Sequence, residues 1–312
     1  MNEAEFIAAL RALATSPAAR GLLDDAAVLT PPPGRDLVLT HDMIAEGVHY
    51  LASDPAADVA WKLVAVNLSD LAAKGADPVG VLLGYPLGVP EWNAAFLEGL
   101  REALAHFAVP LLGGDTITAA GPRTLGLTAI GSVPAGGAPS RTGAQAGDDL
   151  WVCGTIGDAG LGLRIARGEI AGAPSLLAAY RRPVPLLAEG RALAPLAHAT
   201  ADVSDGLLID ATRIAAASGL AIAIDLATIP RSSEASALSG DDTAARLAAA
   251  TAGDDYALLA AAAPEAAEAI AAIPGCVRVG RFAVGAGLSL SDDGTPVPVP
   301  SRLGYLHGSA CQ

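Results

Sequence analysis

The sequence predicts a two-domain protein of α/β plus α+β class. Three observations carry that reading. The chain has 312 residues, a length that corresponds to about two domains. Apolar positions alternate between helical and strand-like spacing in two successive blocks. Between the blocks lies Pro134-Ala-Gly-Gly-Ala-Pro139, a composition that reads as a linker. The domains are accordingly expected over residues 1–137 and 138–312. Hydrophobic residues make up 52% of the chain, enough for a core in each block.

In the first block, residues 3–14 read as a short amphipathic helix. Residues 25–30 and 36–41 read as two strands joined by a turn at Pro31-Pro-Pro-Gly34. Helical spacing over 58–74 ends at Gly75 and Pro78, which supply the stop. A strand at 79–85, a helix at 91–107 and strands at 109–113 and 124–133 follow. In the second block, strands are expected at 149–153, 199–203, 220–225, 256–261 and 276–284. Helices are expected at 158–168, 185–196, 206–218, 243–250 and 264–272.

Charge narrows the function. The net charge is −14, which argues against a nucleic-acid partner, because neutralising phosphates needs a basic surface. The only lysines are Lys62 and Lys74. A phosphate ligand would therefore have to be held by arginine, backbone N–H groups, or metal ions on aspartates. No apolar run approaches the roughly 18–20 residues of a membrane helix. The acidic N-terminus does not read as a signal peptide, so a cytoplasmic protein is expected. Cys153, Cys276 and Cys311 are too few and too scattered for a disulfide framework or zinc cluster, and read as small core residues or a free tail thiol.

Several catalytic motifs are missing: there is no Walker A Gly-Lys-[Ser/Thr], no H-E-x-x-H and no G-x-S-x-G. The glycines of Gly154-Thr-Ile-Gly-Asp-Ala-Gly-Leu-Gly162 fall out of register with a dinucleotide fingerprint and read as a turn with close packing. What remains is a set of aspartates at the ends of apolar segments: Asp24, Asp25, Asp42, Asp70, Asp115, Asp202, Asp205, Asp254 and Asp255. Any one of them alone reads as a cap or turn residue. Asp70 is different, because it falls mid-helix between Leu68 and Leu71, where aspartate is a poor helix former. It shares a face with Asn67 and Lys74, as either an ion-paired stripe or one side of a metal site.

The order of these blocks carries a resemblance. Asp24-Asp-Ala-Ala-Val-Leu29, Thr40-His-Asp42, Glu46-Gly-Val-His49, Trp61-Lys62, Ala65-Val-Asn-Leu-Ser-Asp-Leu-Ala-Ala73, Gly113-Gly-Asp-Thr116, Ser140-Arg-Thr-Gly143, Asp202-Val-Ser-Asp-Gly-Leu207 and Gly253-Asp-Asp-Tyr256 together resemble the thiamine-monophosphate kinase family. Its superfamily includes aminoimidazole ribonucleotide synthetase, selenophosphate synthetase and a hydrogenase maturation protein. The resemblance spans nearly the whole chain. It implies a two-domain aminoimidazole ribonucleotide synthetase-like fold: an N-terminal α/β domain for ATP, Mg²⁺ and dimerisation, and a C-terminal α+β domain that completes the site.

The resemblance further implies ATP-dependent phosphorylation of thiamine monophosphate to thiamine diphosphate, by direct in-line transfer assisted by several Mg²⁺ ions, in a homodimer. Carried over by position, the metal ligands are Asp25, Thr40, His41, Asp42, Asp70, Asp115, Asp202 and Asp205. ATP is contacted by Gly114, Asp115, Arg141 and Ser204. The acceptor is contacted by His49, Asp254 and Leu303. Asp70, Asp205 and Arg141 act at the transfer itself.

Six positions depart from the family pattern. Gly21-Leu22-Leu23 stands where Gly-Ile-Gly is usual, His41 replaces threonine and Lys74 replaces methionine. Asp254 replaces glutamate, and Leu303 stands where an aromatic residue is common. Two alternatives are a sibling ATP-dependent enzyme acting on another acceptor, and a non-catalytic Mg-nucleotide binder. Against particular siblings, no cysteine precedes Cys153, and Cys311 lacks a Pro-Arg context.

Overall fold

The computed structural model describes residues 3–306 and Gly308. It divides into two compact units. One comprises the chain up to Leu71 together with Ala76–Gly136; the other comprises Ala72–Gly75 and the chain from Gly137 onward. Cys311 lies outside the described residues.

The first unit is built on a four-stranded sheet. Its strands are β1 (Arg35–Ala45), β2 (Asp77–Pro86), β3 (Leu111–Ile117) and β4 (Thr124–Pro134), in the order β1-β4-β2-β3. β4 runs antiparallel to both β1 and β2, whereas β2 and β3 are parallel. A parallel pair needs a crossover, supplied by α3 (Pro90–His106). The other helices are α1 (Glu3–Arg11) and α2 (Ala56–Ala73).

Pleating separates the two faces of this sheet. Val81, Leu83, Leu127 and Ala129 are buried on one. The opposite face of β1 carries Leu39 and Met43, which are 63% and 53% exposed. Residues 25–30 form no strand, contrary to the sequence expectation. β1 instead pairs along its whole length with β4, and the three prolines before it supply no ladder donors. The 25–30 stretch is tied back by Val28 N–H donating to Ala18 O at 2.9 Å.

The second unit is a seven-stranded mixed sheet. It contains β5 (Asp149–Cys153), β6 (Ala199–Asp202), β7 (Leu220–Asp225), β8 (Leu258–Ala262), β9 (Cys276–Val284), β10 (Gly287–Asp292) and β11 (Thr295–Val297), in the order β11-β10-β7-β9-β5-β8-β6. Its helices are α4 (Asp158–Ala166), α5 (Pro174–Arg181), α6 (Leu187–Leu193), α7 (Leu207–Ala217), α8 (Ser233–Ser239), α9 (Thr243–Ala250) and α10 (Ala267–Ala271). Two apolar clusters form its core. One gathers Leu150, Val152, Leu208, Ile214, Ile222 and Phe282; the other gathers Trp151, Cys153, Leu193, Leu258, Ile270 and Cys276.

Four elements of this unit were not read from the sequence. α5 and α8 are two-turn helices whose apolar stripes are too short to show a period. β10 alternates leucine with serine, β11 is only the three residues Thr295–Val297, and their Asp293-Gly294 turn has both residues in the left-handed region, the backbone of a tight hairpin. α6 is shorter than the 185–196 expected. Among the described residues, no helix is long and apolar enough to cross a membrane.

Candidate active site

In the first unit, α2 is buried along most of its length, and this fixes what its polar residues can do. Asn67 is fully buried, so both ends of its amide need partners. Its Nδ2 donates to Leu63 O at 2.9 Å, and its Oδ1 accepts the N–H of Asp42 at 2.8 Å. One turn on, Asp70 accepts a hydrogen bond from Thr40 Oγ1. Strand β1 is thereby fastened to α2 with Thr40, Asp42 and Asp70 in one neighbourhood. His49 follows β1 in a turn. Its Nδ1 accepts Ala45 N–H at 3.1 Å, and its carbonyl accepts the ammonium of buried Lys62 at 2.9 Å.

The remaining candidates of this unit sit elsewhere on the sheet. His41 points away from its neighbours Thr40 and Asp42, with Nδ1 2.9 Å from Thr128 Oγ1. Asp115 is opposite Gly84, Gly84 is opposite Gly126, and Gly126 is opposite Met43. Asp115 therefore shares the face of His41 and Met43. That face borders a cavity of about 730 Å³ lined by Asp24, Asp25, His41, Gly114, Asp115 and Thr128, among others. Gly114 cannot be larger, since a Cβ there would meet Leu83 O at 2.0 Å.

Asp24 and Asp25 differ in their contacts. Asp24 is ion-paired with Arg20, which holds its carboxyl below the ordinary value, and it accepts the N–H of Asp25 at 2.8 Å. Asp25 has no cationic partner among the described residues. Leu22, preceding them, occupies the left-handed region at φ 53°, as do Arg20 and Gly21.

The second unit carries its candidates on two interlocked loops. β6 ends at Asp202, which is buried. The turn Ser204-Asp205-Gly206 leads into α7. Asp210 is 2% exposed; its Oδ2 accepts the N–H of Asp205 at 3.0 Å and of Gly206 at 3.2 Å. Arg213 bridges Asp205 at 2.5 Å and Asp210 at 2.7 Å. Burial raises the Asp210 carboxyl, opposed by the Asp205 N–H and by Arg213.

The second loop pairs with the first. Asp254 N–H donates to Ser204 O and Tyr256 N–H to Val203 O, both at 2.8 Å. A Cβ at Gly253 would meet Ser204 O at 2.7 Å, so the approach requires glycine. Asp202, Ser204, Asp205 and Asp254 are thus brought together. Asp254 has a left-handed backbone at φ 68° and its Oδ1 accepts Tyr256 O–H at 3.1 Å.

Asp255, next in the chain, turns away and caps α4, accepting from Gly157 N–H at 2.8 Å and Ala159 N–H at 3.2 Å. Leu303 packs on the apolar cluster that contains Leu208. The backbone beyond it is held by Tyr305 N–H donating to Asp205 O at 2.8 Å. Arg141 is exposed. Lys74 donates to the carbonyls of Pro139 at 3.2 Å and Thr200 at 3.1 Å.

Sequence reasoning missed Asp210, Arg213 and Lys62. The i, i+3 spacing of Asp210 and Arg213 on a helix was a readable signal; Lys62 left none beyond its position after Trp61. Among the described residues, no group of three His, Cys, Asp or Glu side chains is placed to hold a metal ion unaided. The donors gathered at Thr40, Asp42 and Asp70 are all oxygens, with the His41 ring turned aside. That chemistry suits a hard cation that keeps water and phosphate oxygens in its shell.

Comparison with known proteins agrees over most of the chain. The model of the AIR synthase related protein N-terminal domain matches residues 23–133, and that of the C-terminal domain matches 145–293. The chain is 44% identical over 304 residues to thiamine-monophosphate kinase of Caulobacter vibrioides, covering 94% of this chain and 86% of the relative. The crystal structure of thiamine-monophosphate kinase from Stenotrophomonas maltophilia superposes with a TM-score of 0.81 at 38% identity, covering 92% of this chain and 94% of that one. A structure of AaThiL complexed with AMPPCP and TMP gives a TM-score of 0.78 at 28% identity, covering 91% of each chain.

Proposed function

The chain belongs to the thiamine-monophosphate kinase family, and from that premise we propose that it transfers the γ-phosphoryl group of ATP to thiamine monophosphate, giving thiamine diphosphate. The observation that carries this reading is the 44% identity across 94% of the chain. The fastening of β1 to α2 by the Thr40–Asp70 and Asp42–Asn67 hydrogen bonds supports it.

The acceptor is itself a phosphate with a second pKa of about 6, so at neutral pH much of it is a dianion. It needs no general base, and the difficulty is bringing two polyanions together. Bound Mg²⁺ would screen that repulsion and align the phosphates for in-line transfer. Asp25, Asp42, Asp70, Asp115, Asp202 and Asp205 would hold the ions through carboxylates. Thr40 and His41 would contribute oxygens, His41 through its carbonyl because its ring engages Thr128. Arg141 supplies a planar guanidinium for a bidentate phosphate contact. Gly114, where a side chain is excluded, and Ser204 complete the nucleotide contacts. His49, Asp254 and Leu303 face the acceptor in this reading. The exposed apolar row Leu37, Leu39 and Met43 on β1 supports a homodimer.

The direct test is steady-state turnover with ATP, Mg²⁺ and thiamine monophosphate, following both ADP and thiamine diphosphate. Formation of both in equal amounts is expected. ADP release only with a different acceptor would instead identify a sibling enzyme, and ATP binding without turnover on any acceptor a non-catalytic binder. Sedimentation velocity at micromolar protein tests the dimer.

A further inference from the structure

Cys153 and Cys276 lie far apart in the chain, yet the sheet places them face to face. Cys153 is the last residue of β5 and Cys276 the first of β9, and the antiparallel register pairs them directly. Which kind of pair they form can be read from the backbone. The N–H of Cys276 goes to Ile273 O at 3.2 Å rather than across to Cys153, while the next rung is closed by Gly154 N–H donating to Gly275 O at 3.1 Å. Cys153 and Cys276 therefore occupy a non-hydrogen-bonded site, the closer type of antiparallel pair, in which Cα atoms typically lie about 4.5 Å apart. A disulfide spans Cα separations of about 4.4–6.8 Å.

We propose that Cys153 and Cys276 form an oxidisable dithiol, a modification site that a low-molecular-weight disulfide converts to a cross-strand disulfide without unfolding the sheet. Both thiols are free, and both are buried, Cys276 at 9% exposure and Cys153 at 1%. Cys276 is thus the one a reagent reaches first.

The local chemistry assigns the same order. The Cys153 Sγ is 3.4 Å from Pro274 O, which can accept its S–H. Its hydrogen bond to Cys276 raises the Cys153 thiol, and burial adds to this. The same hydrogen bond lowers the Cys276 thiol, against burial and the nearby Glu189 carboxylate. The Cys276 thiolate attacks the reagent R–S–S–R, forming a mixed disulfide and expelling one thiolate. Cys153 then loses its proton and attacks the Cys276 sulfur, expelling the second. Two protein thiols become one disulfide, and the reagent leaves as two RSH.

The test uses the 312-residue chain carrying Cys311→Ser, which retains only the two paired cysteines. It is incubated in native buffer with oxidised glutathione, quenched with iodoacetamide in denaturant and mapped under non-reducing conditions. The expected product is a disulfide-linked peptide pair containing Cys153 and Cys276, two mass units lighter than the free dithiol and lost on reduction. Cys276→Ser in the same background should give no link and at least tenfold less glutathione adduct at Cys153. Two outcomes would overturn the proposal: both cysteines fully alkylated after native incubation, or a link that appears only when denaturant is present during oxidation.

Discussion

The two units differ in how they hold particular aspartates of their candidate sites. In the first, Asp25, Asp70 and Asp115 have no cationic side chain as partner among the described residues; Asp70 is met by the Thr40 hydroxyl. In the second, Asp205 and Asp210 share Arg213, and Asp210 accepts two backbone N–H groups besides. Carboxylates left without protein cations fit the holding of exogenous ones. Carboxylates wired into a helix start and its arginine shape the loop that carries them. Substitution should therefore cost mainly activity in the first unit, and stability as well in the second.

The largest effect is expected at Asp70. Asp70→Asn keeps the Thr40 contact but removes the charge, and turnover of thiamine monophosphate should fall by about 100–1,000-fold, the range seen when a transition-state electrostatic contact is lost. The urea midpoint should move by less than about 0.5 kcal/mol equivalent. A variant that keeps its rate would remove Asp70 from the reacting centre.

Arg213→Met tests the other half. It leaves Asp210 buried with two N–H donors but no counter-charge. Breaking a fully buried pair costs about 3–5 kcal/mol, and the partial exposure of Arg213 reduces this to about 2 kcal/mol. Urea unfolding should report that loss, with a rise in the KM for ATP as the Asp205 loop relaxes. An unchanged midpoint would mean that Asp210 is held by its backbone contacts alone.

This contrast also marks what the sequence could reveal. Asp70 was legible because aspartate is costly between Leu68 and Leu71 on an apolar helix, and the helix was legible from its period. Thr40 and Asp42 were placed by resemblance; what the sequence could not give is Asn67 Oδ1 reaching the Asp42 amide across separate elements. Residues 25–30 looked like a strand because Ala26-Ala-Val-Leu29 is apolar, yet apolarity alone does not form a ladder: the outer edge of β1 stays open, and the segment turns back to Ala18 instead. The Cys153–Cys276 pair was invisible for the same reason: strand register is a tertiary fact. Of the double aspartate at 254–255 the resemblance assigned only Asp254; that Asp255 caps α4 while Asp254 meets Tyr256 depends on the left-handed backbone at 254, which the sequence does not show.

Leu303 gives a smaller test. It packs partly buried on the core of the second unit, so Leu303→Ala should cost about 1 kcal/mol in stability, below the roughly 2–5 kcal/mol of a fully buried leucine because burial is incomplete. If its role is packing alone, KM for thiamine monophosphate stays within twofold; a much larger rise in KM would assign it to the acceptor.

The last contrast is a pH slope, a difference between two profiles, and it separates the two carboxylates at 254–255. Burial raises Asp255 well above 3.8, opposed by the N–H groups of Gly157 and Ala159 and reinforced by the charges of Asp158 and Asp254. Above the unfolded value, the folded chain holds a proton that the unfolded chain has released. The contribution to stability is thus fully present below pH 3.8 and is lost as pH rises through the folded value, at up to about 1.4 kcal/mol per pH unit. Asp255→Asn removes this term while still accepting one of the two helix-capping N–H groups. Urea midpoints measured from about pH 4.5 to 7.5 should decline less steeply for Asp255→Asn than for the parent chain. Parallel profiles would mean that the α4 N–H groups hold Asp255 ionised throughout, which would make it a plain helix cap carrying charge like those of the first unit.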